Sequence, residues 1–206
     1  VIDGEKKMPD VTLGLGIVKA LELGYKNFVL SQDTSVSIER HIKQKGGTVF
    51  HSKVGEANVA EKMISTKSKA GGEGSSAGFI LSDFNYCRDG ILTSGLIASI
   101  MTKDSFREML ALMENYHLIR DKIECDSKYH DELMKILYDK MKEKYANLQT
   151  LDGLKAIIGE DSWVLVRKSN TENIIRVSAE SNSLEMARDI HLEIKELVKQ
   201  SYEKIK

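Results

Sequence analysis

Cysteine is scarce in this sequence: Cys87 and Cys125 are the only two among 206 residues. They do not recur at the short paired spacings that hold structural zinc, so a zinc module is excluded, and two thiols make no disulfide framework. With no secretion-signal pattern, that usage points to a reducing, cytoplasmic setting. An excess of one charge is also missing. Thirty Lys and Arg stand against thirty-one Asp and Glu, a formal net charge of -1. No overall field therefore recruits nucleic acid or an acidic membrane, and any anion site has to be local. No apolar run approaches the length of a bilayer. There is no internal repeat, no heptad seam of useful length and no cluster of metal ligands. The eight methionines read as core filling rather than as a cofactor box. An initiator methionine is absent as well: Val1-Ile2-Asp3-Gly4-Glu5 reads as the end of a strand and a turn, as in a piece of a longer protein.

What is present alternates. The single proline, Pro9, opens with Asp10 a helical pattern carrying Leu13, Ile17, Ala20 and Leu21 on one face, and Gly24 is placed to end it. Phe28 to Leu30 is a short apolar strand, Ser35 to Lys45 a second helix stopped by Gly46-Gly47, and Thr48 to Phe50 a second strand. Helices alternating with short β-rich runs predict a layered α/β domain with a largely parallel sheet. In such sheets ligands sit beyond the carboxyl ends of the strands. His51 falls in the loop after the second strand; with no acidic partner in the neighbouring sequence it reads more often as a solvated histidine than as a base. A helix from about Glu56 to Ile64 follows. Asp89 is an N-cap for a helix with Ile91, Leu92, Leu96, Ile97 and Ile100 as its apolar positions, and Ser105 to Met113 is a further helix.

After the polar stretch Glu114 to His117 the pattern changes. Leu118 to Cys125 reads as a half-exposed strand whose Ile119, Lys122 and Ile123 are not fully in phase. Tyr129 to Tyr145 is an amphipathic helix with Leu133, Ile136, Leu137 and Met141 inward. Leu154 to Ile158, Trp163 to Arg167 and Ile174 to Ala179 are strands. Asn182 with Glu185, in capping-box spacing, announces a last helix whose buried stripe is Ala187, Ile190, Ile194, Leu197 and Val198. This half reads as a small α+β domain, an antiparallel sheet with helices on one face.

Two stretches carry candidate chemistry. In Gly71-Gly72-Glu73-Gly74-Ser75-Ser76-Ala77-Gly78 the glycines read either as a flexible linker or as backbone that lets a ligand approach closely. Glu73 beside Ser75 offers acceptors and a hydroxyl suited to sugar hydroxyls. In Arg167-Lys168-Ser169-Asn170-Thr171-Glu172-Asn173-Ile174-Ile175-Arg176 two guanidinium groups bracket short polar residues that favour a tight turn. Arginine supplies a fixed fork of donors and a turn aims backbone amides at one point, which together make an oxyanion pocket. The competing reading is a hairpin turn with solvated arginines.

Taken in order, Pro9-Asp10-Val11-Thr12, Val54-Gly55 with Glu61-Lys62-Met63, Gly72-Glu73-Gly74-Ser75, Arg88-Asp89-Gly90 with Thr93, and Arg167-Lys168-Ser169-Asn170-Thr171-Glu172 resemble the third and fourth domains of the four-domain α-D-phosphohexomutase family. That family includes phosphoglucomutases, phosphomannomutases and phosphoglucosamine mutases. The resemblance implies a three-layer α/β domain with a mixed, largely parallel sheet over 1–115, followed by a small α+β domain with an antiparallel sheet over 116–206. It implies an isomerase that interconverts hexose 1-phosphate and 6-phosphate through a phosphoserine and a bisphosphate intermediate. Mg2+ and a hexose 1,6-bisphosphate activator belong to that chemistry. The serine and metal loops lie in N-terminal domains of the same chain that these residues do not include, so no catalytic residue and no metal ligand falls here, and the piece alone binds without catalysing. Glu73 and Ser75 would read sugar hydroxyls, while Arg167, Ser169, Asn170, Thr171 and Arg176 would grip the phosphate that is not reacting. Ser76-Ala77 replaces a frequent Gly-His, Lys168 and Asn173 stand where proline is common, and Asn170 replaces glycine. The missing His and the substituted prolines are the signs of the alternative, a non-catalytic sugar-phosphate-binding or regulatory module of the same fold, whereas Asn170 is acceptable because Asn tolerates left-handed geometry. Lys168 is read as pointing to solvent rather than at the phosphate.

Overall fold

The computed structural model describes residues 1–2 and 4–206. Asp3, within the Val1–Glu5 stretch, lies outside them; on either side of it Ile2 and Glu5 exchange backbone hydrogen bonds of 3.0 and 2.9 Å. The described chain divides into two compact units, Val1–Glu114 and Asn115–Lys206.

The first unit runs α1 (Pro9–Glu22), β1 (Asn27–Ser31), α2 (Val36–Gln44), β2 (Thr48–Ser52), α3 (Glu56–Thr66), β3 (Ala70–Glu73), β4 (Gly78–Leu81), α4 (Gly90–Ala98) and α5 (Asp104–Glu114). Its sheet has the order β2-β1-β3-β4; β1 is parallel to β2 and β3, and β4 closes the edge antiparallel to β3. Period-two alternation sorts the strand residues between two layers of helix. Phe28, Leu30, Ala70, Phe79 and Leu81 join a cluster with Leu13, Ile17, Ile38, Met109 and Met113. Val29 and Ile80 face the other way, onto Val59 and Met63 of α3. The sheet is thus covered on both faces, as parallel strands require.

Three sequence expectations change here. The glycine-rich stretch is neither linker nor open loop, because Gly71 and Gly72 are strand residues of β3. A Cβ on Gly72 would lie 1.9 Å from the Gly78 carbonyl oxygen, so the close approach that glycine permits is to the neighbouring strand. Ile91 is 89% exposed: it stands about 100° around the helix from Leu92, which packs inward with Leu96 and Ile97. His51 ends up in β2, where it has an acidic partner described below.

The second unit runs β5 (His117–Glu124), α6 (His130–Lys144), β6 (Leu148–Gln149), β7 (Leu154–Ile158), β8 (Ser162–Lys168), β9 (Ile174–Ser181) and α7 (Leu184–Glu203). All pairings are antiparallel, in the order β5-β9-β8-β7-β6. Ile123, Ala156, Val164, Val166, Ile175, Val177 and Ala179 point to one face, where Leu133, Leu137 and Met141 of α6 and Ala187, Ile194 and Val198 of α7 are buried near them, most in one cluster. The imperfect phase of β5 has a cause: Asp121 occupies a position of the same parity as Ile123 and is bonded by Lys195 of α7. The last helix is capped by Ser183, whose Oγ accepts from Met186 N at 3.3 Å, and not by Asn182, whose amide donates to Asp161 at 3.2 Å. The capping-box spacing misplaced the cap by one residue, because Ser183 is the last residue before the helical dihedrals begin.

Candidate ligand-binding loops

The first loop lies beyond the carboxyl ends of the parallel strands, where open α/β sheets place ligands. Leaving β1, Ser31 Oγ donates to Asp33 Oδ1 at 2.7 Å and lies 3.0 Å from Thr34 Oγ1. Thr34 Oγ1 accepts from Gly74 N at 3.1 Å, and Asp10, in the first turn of α1, accepts from Ser35 N at 3.0 Å. Asp10, Ser31, Asp33, Thr34 and Ser35 are all buried. A buried polar network is stabilising only when its members are satisfied, and this one pins the start of the 3-10 turn Gly74–Ser76.

On that mount stands Glu73, half-buried at the end of β3. Its Oε2 accepts from Gly55 N at 2.5 Å and its Oε1 from Ser75 Oγ at 3.4 Å. Gly55 adopts φ +120°, a conformation that side-chain-bearing residues rarely hold, and that geometry turns its N–H toward the carboxylate. An ionised carboxylate has about four acceptor positions, so Glu73, in contact with Ser75, retains capacity for an external donor. Beside them Arg88 is bonded to Glu56. His51 Nε2 lies 3.3 Å from Glu39 Oε2, and Lys43 Nζ lies 2.6 Å from Glu39 Oε1. Burial opposes the ionised Glu39, yet the hydrogen bonds of His51 and Lys43 prevail and hold its carboxyl at about 2. A partner twelve residues upstream is invisible to a local reading, and it makes His51 a brace between α2 and β2.

The second loop is the β8–β9 hairpin turn. Ser169 N donates to the Ile174 carbonyl at 3.0 Å. The buried Ser169 Oγ accepts from Thr171 N at 3.4 Å and Glu172 N at 3.2 Å. Asn173 takes no part in the turn's interior: its carbonyl accepts from Cys125 N at 2.9 Å and its Oδ1 from Ser127 N at 3.3 Å. Asn170 and Thr171 are exposed at the tip.

Arg167 and Arg176 are register partners across β8 and β9, and Arg176 is the partner of Lys122 across β9 and β5. Strand alternation places all three cations in one row, on the face opposite α6 and α7. Like charges directly opposite one another repel. Two carboxylates lie against the row: Asp152 Oδ2 is 3.8 Å from Arg167 Nε, and Glu172 is bonded to Arg176 and sits 3.5 Å from Lys122 Nζ. Lys168 has the opposite parity. Its Nζ donates to Asp131 Oδ1, on α6, at 2.6 Å, so it turns away from the row, exposed as expected but with a surface carboxylate as partner. From sequence Lys122 reads only as a strand residue and not as part of the site, because only the pairing of β5 with β9 brings it beside residues some fifty positions later. Next to the hairpin, burial, then Asp126, pushes the Cys125 thiol up. Among the described residues no group of three or more His, Cys, Asp or Glu side chains could hold a metal ion, and no helix is long and apolar enough to cross a membrane.

The comparison with known families is decisive. Residues 9–116 match the model described as phosphoglucomutase/phosphomannomutase, alpha/beta/alpha domain III, and residues 122–197 match the C-terminal domain of the same family. The chain belongs to the phosphoglucomutase/phosphomannomutase family. Within that family it is 30% identical over 187 residues to a probable phosphoglucosamine mutase of Methanopyrus kandleri, covering 90% of this chain and 41% of that one. It is likewise 30% identical over 179 residues to a phosphoglucosamine/phosphogalactosamine mutase of Sulfurisphaera tokodaii, covering 84% and 38%. The chain therefore spans less than half the length of these phosphohexomutases. A crystal structure of a phosphoglucomutase/phosphomannomutase family protein from Burkholderia thailandensis shares the fold, with a TM-score of 0.76, 21% identity, and coverage of 97% of this chain and 43% of that one.

Proposed function

We propose that this chain supplies the sugar- and phosphate-binding part of a phosphohexomutase that interconverts the 1- and 6-phosphates of a hexosamine, in the cytoplasm, through a phosphoserine enzyme and a bisphosphate intermediate. The observation that carries the reading is the alignment of Arg167 and Arg176 across the hairpin, beside a turn whose backbone Ser169 fixes. A phosphate demands that arrangement: converging donors on a rigid frame, with a positive charge that does not titrate away. In this reading Arg167, Ser169, Asn170, Thr171 and Arg176 hold the phosphate that stays intact, while Glu73 and Ser75 accept from and donate to sugar hydroxyls.

Phosphoryl transfer depends mainly on positioning and electrostatic stabilisation. These residues contribute by fixing the non-reacting end of the substrate in either of its two orientations, since charge and hydroxyl geometry are common to both. Mg2+ in such a mutase neutralises charge on the transferring group; the residues described here do not form a site for it, and its ligands, like the serine, belong to domains this chain does not span. A hexosamine is favoured because relatives at 30% identity are named phosphoglucosamine mutases. The replacement of Gly-His by Ser76-Ala77 keeps a second reading in view, a sugar-phosphate-binding module without turnover.

The test is a titration of the chain with glucosamine 6-phosphate, followed by NMR or calorimetry. Arg167→Ala should weaken binding about tenfold or more, the worth of a charge-assisted contact, and unchanged affinity would refute the loop assignment. For the whole enzyme, a polypeptide carrying all the family's domains, supplied with Mg2+ and glucosamine 1,6-bisphosphate, should interconvert glucosamine 1- and 6-phosphates; binding without interconversion would favour the second reading.

A further inference from the structure

Within the cation row two residues have no place in that scheme, Lys122 and Glu172. The Glu172 carboxylate is bonded to Arg176 and lies 3.5 Å from Lys122 Nζ, so one carboxylate spans two of the three cations that an anion at the hairpin would use. Its backbone is fixed independently of its side chain. Glu172 N donates to Ser169 Oγ at 3.2 Å, and the Glu172 carbonyl accepts from Ile174 N at 2.9 Å. The carboxylate, 44% exposed, can therefore swing away on side-chain torsions while the turn keeps its shape. Lys122, on the β5 edge, has the reach and charge to take up an anion in its place.

We propose that Glu172 is a built-in competitor for the phosphate: the ligand displaces its carboxylate from Arg176 and Lys122, and Lys122 becomes a third cation of the phosphate site. The inference rests on the assignment of the hairpin as an anion site and adds to it a residue that opposes binding and a residue that assists it. A competitor of this kind discharges the repulsion within the row when no anion is held. It also lowers affinity for the ligand, which suits a site that must release and recapture a substrate in two orientations.

The experiment is a titration of this chain with inorganic phosphate, with four substitutions read side by side against Arg167→Ala. Glu172→Gln should tighten binding about two- to fivefold, the size of an exposed ion pair removed from competition, and Lys122→Met should weaken it by about the same factor. Glu172→Asp keeps the charge but shortens the reach, and should tighten binding by less than Glu172→Gln. Asp131→Asn, which removes a carboxylate on the opposite face, should leave affinity unchanged. Unchanged or weaker binding in Glu172→Gln, with Arg167→Ala still losing affinity, would overturn the competitor and leave the anion site standing. Equal tightening in Asp131→Asn would overturn it too, by showing a general charge effect. If Arg167→Ala does not weaken binding, the anion site itself fails.

Discussion

Acid should loosen the first unit through one carboxylate, Glu39. It is 20% exposed and shared between His51 and Lys43, and its pKa in the folded protein is about 2 against an ordinary 4.5. A carboxyl whose folded pKa is depressed gives stability that is fully present above the unfolded value and lost as pH falls through the folded one. The window is therefore about pH 4.5 down to about pH 2. At about 1.4 kcal/mol per unit the full linkage approaches about 3 kcal/mol, and solvent around the exposed Lys43 ammonium brings it nearer about 2 kcal/mol. Native-state hydrogen exchange of β1 and β2 amides reads the stability of this unit directly, in wild type and in Glu39→Gln, whose side chain does not titrate. The stability gap between the two proteins should shrink by about 2–3 kcal/mol on descending from about pH 5 to about pH 2, every other carboxylate cancelling in the difference. Parallel curves for the two proteins across that window would refute the reasoning and show that the His51–Glu39–Lys43 contacts carry no net stabilisation.

Three further outcomes follow from the geometry. Glu73→Ala should weaken glucosamine 6-phosphate about tenfold or more and leave inorganic phosphate unchanged in the same titration; equal losses for both ligands would show that the two loops do not divide the work. Thr34→Val removes the acceptor of Gly74 N and should lower stability by about 1–3 kcal/mol in urea denaturation, with faster amide exchange concentrated in residues 73–77. Lys67 ends α3 with a φ of +54°, so Lys67→Gly should stabilise by about 0.5–1 kcal/mol, the left-handed strain relieved less the extra freedom glycine gains on unfolding; a lower thermal midpoint would count against that strain.

Much of the architecture was legible because hydrophobic period and punctuation agreed. Pro9 and Gly24 bracket the first helix, Ser35 caps the second, and the alternation of helices with short apolar strands fixed the layered order. Errors arose where neighbours in space are distant in sequence. Glu39 and His51, or Lys122 and Arg176, meet only once strands have paired, and no local pattern encodes which strand lies beside which. Ile91 was misplaced for a different reason: apolar character was read without the helical phase that separates it from Leu92. The glycines of β3 show the same limit at backbone level, since a glycine that admits a ligand and one that admits a neighbouring strand look alike as letters. For the candidate site the residue types were readable, but their hydrogen-bond partners and the parity that sends Lys168 away from the arginines were not.

The buried network of Asp10, Ser31, Asp33, Thr34 and Ser35 under the 3-10 turn has a consequence for how such a site can diverge. The position of Glu73 and Ser75 is set from beneath, by buried hydroxyls and a buried carboxylate. Further along, Ser76 Oγ donates to the Glu73 carbonyl at 3.4 Å and Ala77, at φ +57°, closes the turn onto the Gly74 carbonyl at 3.1 Å, so these two residues trim a turn whose start is already anchored. A loop built this way can exchange its exposed side chains without moving its anchor, much as a tool head is changed on a fixed shaft.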